Sequence, residues 1–486
     1  MKSRVLDITL IALLSCFALF LVVPHMNNSI WYDEACTVDF AGLPFHSLID
    51  MLAAGNNMPA YYLFMRVWTS VFGIGEAALR VPGVIFYILS VVCVYFFGKR
   101  LFSGRGPAFA SALIYLLLRI NTDNAVNARP YGMLALLSIA SLMLFYELFI
   151  VGKNNRLLAA AFIAVNIIGS FTHLWFFFTA LSQAVYYMAV KRRLDKRFTL
   201  VFLYSFAGFF ILWVPVLYSQ LHSTSNSWMA FNGNEIEVTL RYFMAGRLYS
   251  VFFLSLIPVL AGFLKKMYEK KGYNYKPYMT NTFFILTVLI VSLIVPFIIS
   301  FFKPIYIVER GPMITAAPFA LLLGGFLCAI SYRPLFYAAL SLFSLFIYIK
   351  LYSAGAVNYL NDRTLAKLAI SNAADVDNIS FYSELKRPMK YYFKLYNFNR
   401  SVRFTDLPEK IADPGGAEGG VRLEAIDQYY DSLSKGKKLL YVFTDADAKS
   451  AVFNLIYARL NKTHRVIKKA GCAGITLVKY SLTEKP

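Results

Sequence analysis

Apolar runs of about 20 residues, the length that carries a helix across a bilayer, recur along the first three quarters of this chain and are separated by short basic clusters. No water is available inside a bilayer to satisfy backbone N–H and C=O groups, so such runs have to be helices. The runs at 8–23, 81–97, 107–118, 131–150, 157–171, 174–190, 200–218, 250–263, 281–301, 313–330 and 335–349 predict a polytopic α-helical membrane protein with about eleven spans. Composition agrees: 58% of the 486 residues are hydrophobic and 15% are charged, against about 25% charged in a soluble domain. No small-residue cleavage pattern follows 8–23, so the first run reads as a retained helix.

The formal net charge of +21 invites a nucleic-acid partner, and its distribution argues for none. The basic residues sit in clusters between runs, such as Lys99-Arg100, Lys191-Arg192-Arg193 and Lys265-Lys266. With Lys2 and Arg4 placed inside, the inner connections hold more than twice as many Lys and Arg as the outer loops. That asymmetry orients the protein and puts its C-terminus outside. Residues 1–355 read as the membrane domain, and residues 356–486 as an extracytoplasmic soluble α/β domain. In the latter, strand signals at 379–382, 402–404, 439–443, 466–468 and 475–480 alternate with helical patterns at 387–396, 421–433 and 448–460. The glycine-rich stretch 413–420 has no strand–helix frame and reads as a loop. Cys36 and Cys472 both fall outside, and spacing leaves their pairing open.

One stretch concentrates chemistry. Trp31-Tyr32-Asp33-Glu34 lies just past the first run, in an outer loop whose segments 41–54 and 61–72 read as amphipathic helices lying in the interface. Two adjacent carboxylates beside a membrane suggest a use, although a helix N-terminus also favours acidic side chains. All five histidines and most acidic residues of the membrane half are also outer, and lone arginines stand among them. Carboxylates, single arginines and aromatics at one interface suit a substrate that combines a lipid phosphate with a sugar. A guanidinium fork binds phosphate, and a carboxylate takes the proton of an incoming hydroxyl.

Ser29-Ile30-Trp31-Tyr32-Asp33-Glu34 resembles the first-loop Asp-Glu motif of GT-C glycosyltransferases in the protein O-mannosyltransferase and aminoarabinose transferase superfamily, the glycosyltransferase family 39 type. Asn57-Met58-Pro59-Ala60-Tyr61-Tyr62 is similar to that group's His-Pro-Pro-Leu-Tyr-Tyr element. Glu76-Ala77-Ala78-Leu79-Arg80-Val81-Pro82 resembles its approach to the second helix. Asn127-Ala128-Arg129-Pro130-Tyr131 resembles Glu-Ala-Arg-Pro-Tyr, and Thr172-His173-Leu174 resembles Thr-His-Tyr. Each motif is weak alone, and their shared order over the first 190 or so residues is specific.

The resemblance implies a polyprenyl-phosphate sugar donor, an acceptor hydroxyl on a glycan, lipid or protein, and an inverting single displacement with no nucleotide. Asp33 would be the base and Glu34 would shape its site, with Asp123 as a second acidic candidate. Arg129, Arg310 and Arg80 would take the donor phosphate. Trp31, Tyr32, Asn57, Tyr61, Tyr62, Asn127, Tyr131 and His173 would line the substrate. A divalent metal is left open. The chain departs from the pattern at Asn127 for an acid, Asn57 for a histidine, Met58 for a proline and Gly311 for a tyrosine. A transporter or flippase of lipid-linked sugars is the competing reading, and ionisable residues gathered at the outer rim rather than the midplane weigh against it.

Overall fold

The computed structural model describes residues 2–55, 57–193, 195–223, 231–243, 276–327, 340–341, 345, 348–349, 362–373, 375–381, 386–396, 403–406, 423–433, 438–444, 451–472 and 475–484. The chain divides into two compact units. The first comprises Met1–Met26, Phe40–Gly73 and Ala77–Ala356, and the second comprises Asn27–Asp39, Ile74–Glu76 and Val357–Pro486.

The first unit is helical. In chain order its main elements are α1 (Lys2–Val22), the C-terminal end of α2 (Tyr32–Gly42), α3 (Phe45–Ala54), α4 (Pro59–Phe72), α5 (Glu76–Phe102), α6 (Arg105–Leu117), α7 (Arg119–Ala125) and α8 (Tyr131–Phe145). They continue with α9 (Arg156–Ser170), α10 (Phe176–Lys191), α11 (Lys196–Ser223), α12 (Glu235–Phe243), α13 (Lys276–Ser300) and α14 (Met313–Leu327). Among the described residues, 5 helical segments are long and apolar enough to cross a membrane: Arg4–His25, Glu76–Phe102, Tyr131–Ile150, Lys196–Val214 and Met279–Ser300. The expected runs at 107–118, 157–171, 174–190 and 313–330 form the shorter helices α6, α9, α10 and α14. Those at 250–263 and most of 335–349 lie outside the described residues. Large apolar side chains such as Phe210, Ile211 and Leu212 on α11 are exposed, as a lipid-facing surface requires.

Packing inside this unit uses small and uncharged polar residues rather than ions. Ser141 on α8 donates to Asn166 on α9 (2.8 Å) and accepts from Gln183 on α10 (2.8 Å). Asn166 reaches Ser205 on α11 at 3.5 Å, and Thr179 donates to Ser138 at 3.2 Å. These bonds tie four helices where hydrocarbon offers no alternative partner. Helices α6 and α14 meet backbone to backbone, because a Cβ at Gly324 would lie 2.6 Å from Ser111 N and 2.8 Å from its Cα.

Charges collect at helix ends. Asp7 near the start of α1 accepts from Tyr95 (2.8 Å), Lys99 (2.5 Å) and Arg105 (2.8 Å). Arg100 and Lys153 pair with Glu147 at 2.6 and 2.8 Å. At the other end of α5, Arg80 is 1% exposed and donates Nη1 to the carbonyls of Met26 (3.0 Å) and His25 (3.5 Å), which gathers the chain leaving α1.

The second unit contains α15 (Asp362–Asn372), β1 (Asn378–Phe381), α16 (Lys386–Leu395), β2 (Arg403–Asp406), α17 (Leu423–Leu433), β3 (Lys438–Thr444), α18 (Ala451–Thr463), β4 (His464–Cys472) and β5 (Ile475–Glu484). The sheet order is β2-β1-β3-β5-β4. β1 runs parallel to β2 and β3, while β5 is antiparallel to β3 and β4. Helices α17 and α18 cover one core of Tyr429, Leu433, Leu439, Tyr441, Phe453, Ile456 and Tyr480. The edge strand β4 is guarded by exposed Lys468 and Lys469. The 413–420 stretch lies outside the described residues. The same unit includes the start of α2, which carries Asp33 and Glu34.

The close α6–α14 contact sets an expectation. Gly324→Ala should destabilise the protein by about 1–3 kcal/mol, read as a lowered thermal midpoint in detergent, because the group it meets is Ser111 backbone.

Candidate active site

The Asp-Glu motif opens α2, with Trp31 just before the helix and Asp33 and Glu34 in its first turn. Glu34 is 0% exposed, and its Oε2 accepts from the Trp31 backbone N–H at 3.4 Å. That is the reach-back half of a capping box, with an acid at the third helical position returning to the residue before the helix. Capping and a site at Asp33 are therefore compatible: Glu34 fixes the turn, and Asp33 stands on it. Thr37 Oγ1 donates to the Asp33 carbonyl at 3.3 Å, tightening the same turn.

In the helical unit, three sequence-distant motifs meet. Arg129 is buried; its Nη1 donates to the Tyr62 hydroxyl at 3.0 Å and its Nη2 to Asn57 Oδ1 at 3.4 Å. Tyr62 in turn donates to Asn57 Oδ1 at 2.8 Å. Asn57 is thus a neutral acceptor that aims a guanidinium, a task its amide performs without the histidine usual there. The Ala60 N–H donates to the Phe171 carbonyl (2.9 Å), which joins the start of α4 to the α9–α10 tip. On that tip the His173 ring lies 5.7 Å from the Tyr131 ring, centroid to centroid. Tyr61 is buried and packs edge-on against Tyr62. The Asn127 carbonyl accepts the Arg129 N–H at 2.7 Å.

The Arg310 cation acts on His173 as well. Burial, then the cations of Arg129 and Arg310, push the His173 imidazole down to about 4. Its Nδ1 accepts the Trp175 N–H at 3.2 Å, which assigns the proton to Nε2. At neutral pH His173 is therefore an uncharged N–H donor beside two guanidiniums. The Arg310 loop is held by Asn124, whose Nδ2 donates to the Glu309 carbonyl at 2.9 Å. Gly311 is where a side chain would collide, because its Cβ would lie 2.6 Å from Trp175 Cδ2. Bulk that a tyrosine would supply at 311 comes instead from the Trp175 indole, which meets the Tyr306 ring edge-on at 5.5 Å.

Arg80, expected at the donor phosphate, is buried and donates to the carbonyls of Met26 and His25 just after α1. Glu235 is 5% exposed; its Oε1 takes the Asn232 N–H at 2.6 Å, and the helix it opens is tied through Thr239 to the Tyr306 hydroxyl at 3.2 Å. Asp123 Oδ2 accepts from Arg119 (3.1 Å) and Tyr242 (2.6 Å), and Arg119 also lies 5.2 Å from the Tyr242 ring centroid. Trp175, Tyr306 and Asn124 were not singled out in the sequence, since none belongs to a motif. Among the described residues no three His, Cys, Asp or Glu side chains gather as a metal site would require.

Residues 56–218 match the family model described as dolichyl-phosphate-mannose-protein mannosyltransferase. No curated protein matches by sequence. In fold, the chain is similar to apo ArnT from Cupriavidus metallidurans, with a TM-score of 0.64 and 13% identity over 98% of each chain. It is also similar to the archaeal oligosaccharyltransferase AglB from Archaeoglobus fulgidus, in complex with an inhibitory peptide and a dolichol-phosphate, at TM-score 0.51 and 11% identity over 98% of this chain and 74% of that one. The family match over residues 56–218, which spans four of the motifs, and the fold likeness over 98% of the chain support a GT-C superfamily assignment for this integral membrane protein.

Proposed function

We infer that the protein transfers a sugar from a polyprenyl-phosphate donor to an acceptor hydroxyl at the extracytoplasmic face of the membrane. The observation that carries this reading is the pair Arg129 and Arg310, both acting on a His173 imidazole held neutral with its proton on Nε2. Two guanidiniums and a neutral N–H donor suit a lipid phosphate, whose charge grows as it leaves. The dolichol-phosphate in the AglB complex belongs to the same chemical class.

In this reading Asp33 takes the proton of the acceptor hydroxyl, and the hydroxyl oxygen forms the new bond to the anomeric carbon from the face opposite the phosphate. The anomeric carbon–oxygen bond to phosphate breaks with its electron pair, inverting the centre and leaving polyprenyl monophosphate. Arg129 and Arg310 neutralise the added charge, and His173 Nε2–H donates one hydrogen bond to a phosphate oxygen. Glu34 keeps the Asp33 turn in shape through its bond to Trp31. Tyr62 and Asn57 hold the Arg129 fork, so the guanidinium spends little conformational freedom on binding. Trp31, Tyr32, Tyr61, Asn127 and Tyr131 are assigned to the substrate's sugar and lipid-proximal groups. The acceptor is a glycan, lipid or protein hydroxyl.

Two outcomes test this. Asp33→Asn should lower turnover of a polyprenyl-phosphate sugar by about 10²–10⁴-fold, the usual worth of a general base, in purified protein that still binds polyprenyl phosphate; near-normal turnover would remove the reading. Polyprenyl phosphate should also raise the His173 pKa from about 4, because an added anion offsets the two arginines that help depress it. Histidine-selective NMR, with His173→Asn for assignment, reads this directly. The sign for stability follows: the unfolded imidazole gains its proton first, so this group's contribution is intact above the ordinary histidine range and is lost as pH falls toward 4.

A further inference from the structure

The second compact unit contains residues 27–39 and 74–76 together with the C-terminal part of the chain. The bonds that hold these segments come from two C-terminal helices. Arg363 at the start of α15 forms a two-pronged ion pair with Glu76, Nε to Oε1 at 3.1 Å and Nη2 to Oε2. The same residue donates Nη2 to the Asn27 carbonyl and its backbone N–H to Ser29 Oγ at 3.3 Å. On α16, the Tyr392 hydroxyl donates to Glu76 and accepts the Ile30 N–H at 3.0 Å, while Tyr391 donates to the Ile74 carbonyl at 2.8 Å. Burial and the Glu76 carboxylate raise the Tyr392 phenol well above its usual range, which keeps it a donor at any working pH.

One residue of α16 grips the Asp33 helix itself. The Arg387 guanidinium carbon lies 5.2 Å from the Tyr32 ring centroid, its Nη1 donates to Cys36 Sγ at 3.2 Å, and it stands 3.7 Å from Asp39 Oδ2. Tyr32, Cys36 and Asp39 are four and three residues apart, so they form one stripe of α2, and Asp33 sits beside the top of that stripe. A planar cation laid along three successive positions fixes the rotation of the helix about its own axis. A flexible ammonium matches the charge and not the fork. Cys36 is buried, 9% exposed, and this guanidinium lies against its sulfur.

We propose that Arg387 is a positioning residue for Asp33, and that the C-terminal unit is a working part of the transferase because it holds the helix that carries the base. The proposal rests on Asp33 acting as the base. Its consequence is specific: loosening Arg387 should misdirect the carboxylate, which affects the chemical step, and should leave the donor-phosphate groups as they are.

The test uses the full chain in nanodiscs, with polyprenyl-phosphate sugar as donor and Cys36 alkylation by a small maleimide followed by mass spectrometry. Arg387→Met should lower kcat about 100-fold, the scale of an ångström-sized misplacement, with donor KM changed less than about twofold and Cys36 alkylated about tenfold faster. Arg387→Lys should recover part of kcat and part of the Cys36 protection together, since it keeps the charge and loses the fork. Unchanged kcat in Arg387→Met, or a loss of kcat with Cys36 protection unaltered, overturns the proposal. So does a loss confined to the folded fraction, with normal kcat per molecule that binds polyprenyl phosphate. Asp33→Asn run alongside separates the two readings: full turnover in that variant defeats the base assignment, whatever Arg387 does.

Discussion

A bilayer interior supplies no hydrogen bonds, and the rest of this structure is arranged around that fact. Backbone groups are satisfied within helices. Polar side chains inside, among them Ser141, Asn166, Gln183 and Ser205, bond to one another across four helices. Ionised groups are pushed to the helix ends, where Asp7 collects Tyr95, Lys99 and Arg105 and where Glu147 collects Arg100 and Lys153. Glycine at 324 lets α14 pack directly on Ser111 of α6.

The same rule decides how buried polar side chains are held. A buried charge needs partners that satisfy it. Arg129 is held by a phenol and an amide oxygen, both neutral, so its aim is set while its charge persists. His173 is kept uncharged by burial and by neighbouring cations, and its Trp175 contact determines which nitrogen donates. Glu34 caps α2 and thereby frames Asp33. The departures from the expected motifs fit this logic. Asn57 is a good acceptor for a guanidinium, and Gly311 makes room for Trp175.

Much of this was legible beforehand, for reasons that can be named. Apolar run length marked the long helices 4–25, 76–102, 131–150, 196–214 and 279–300. Alternation of short β-rich and amphipathic stretches marked all five strands of the C-terminal sheet within a few residues. Motif order drew Asn57, Tyr62, Arg129 and His173 into one list, and they do gather. The burial of Arg80 and Glu235 was not legible, because charge and loop position are poor guides to it. A guanidinium can turn inward to cap carbonyls, and a glutamate can disappear under the helix it begins.

By itself the sequence determined that the chain is an integral membrane protein with several long apolar helices, where its β-rich stretches lie, and which polar residues fall in short motifs. Those are local properties, since hydrophobic length, charge clusters and short motifs are written in neighbouring positions. Only the tertiary structure decided which partners aim those residues. Arg387 meets Cys36 across 351 positions and Arg363 meets Glu76 across 287. No pattern in one chain marks such pairs, because each is an ordinary arginine until the fold closes and desolvation makes its choice of partner count.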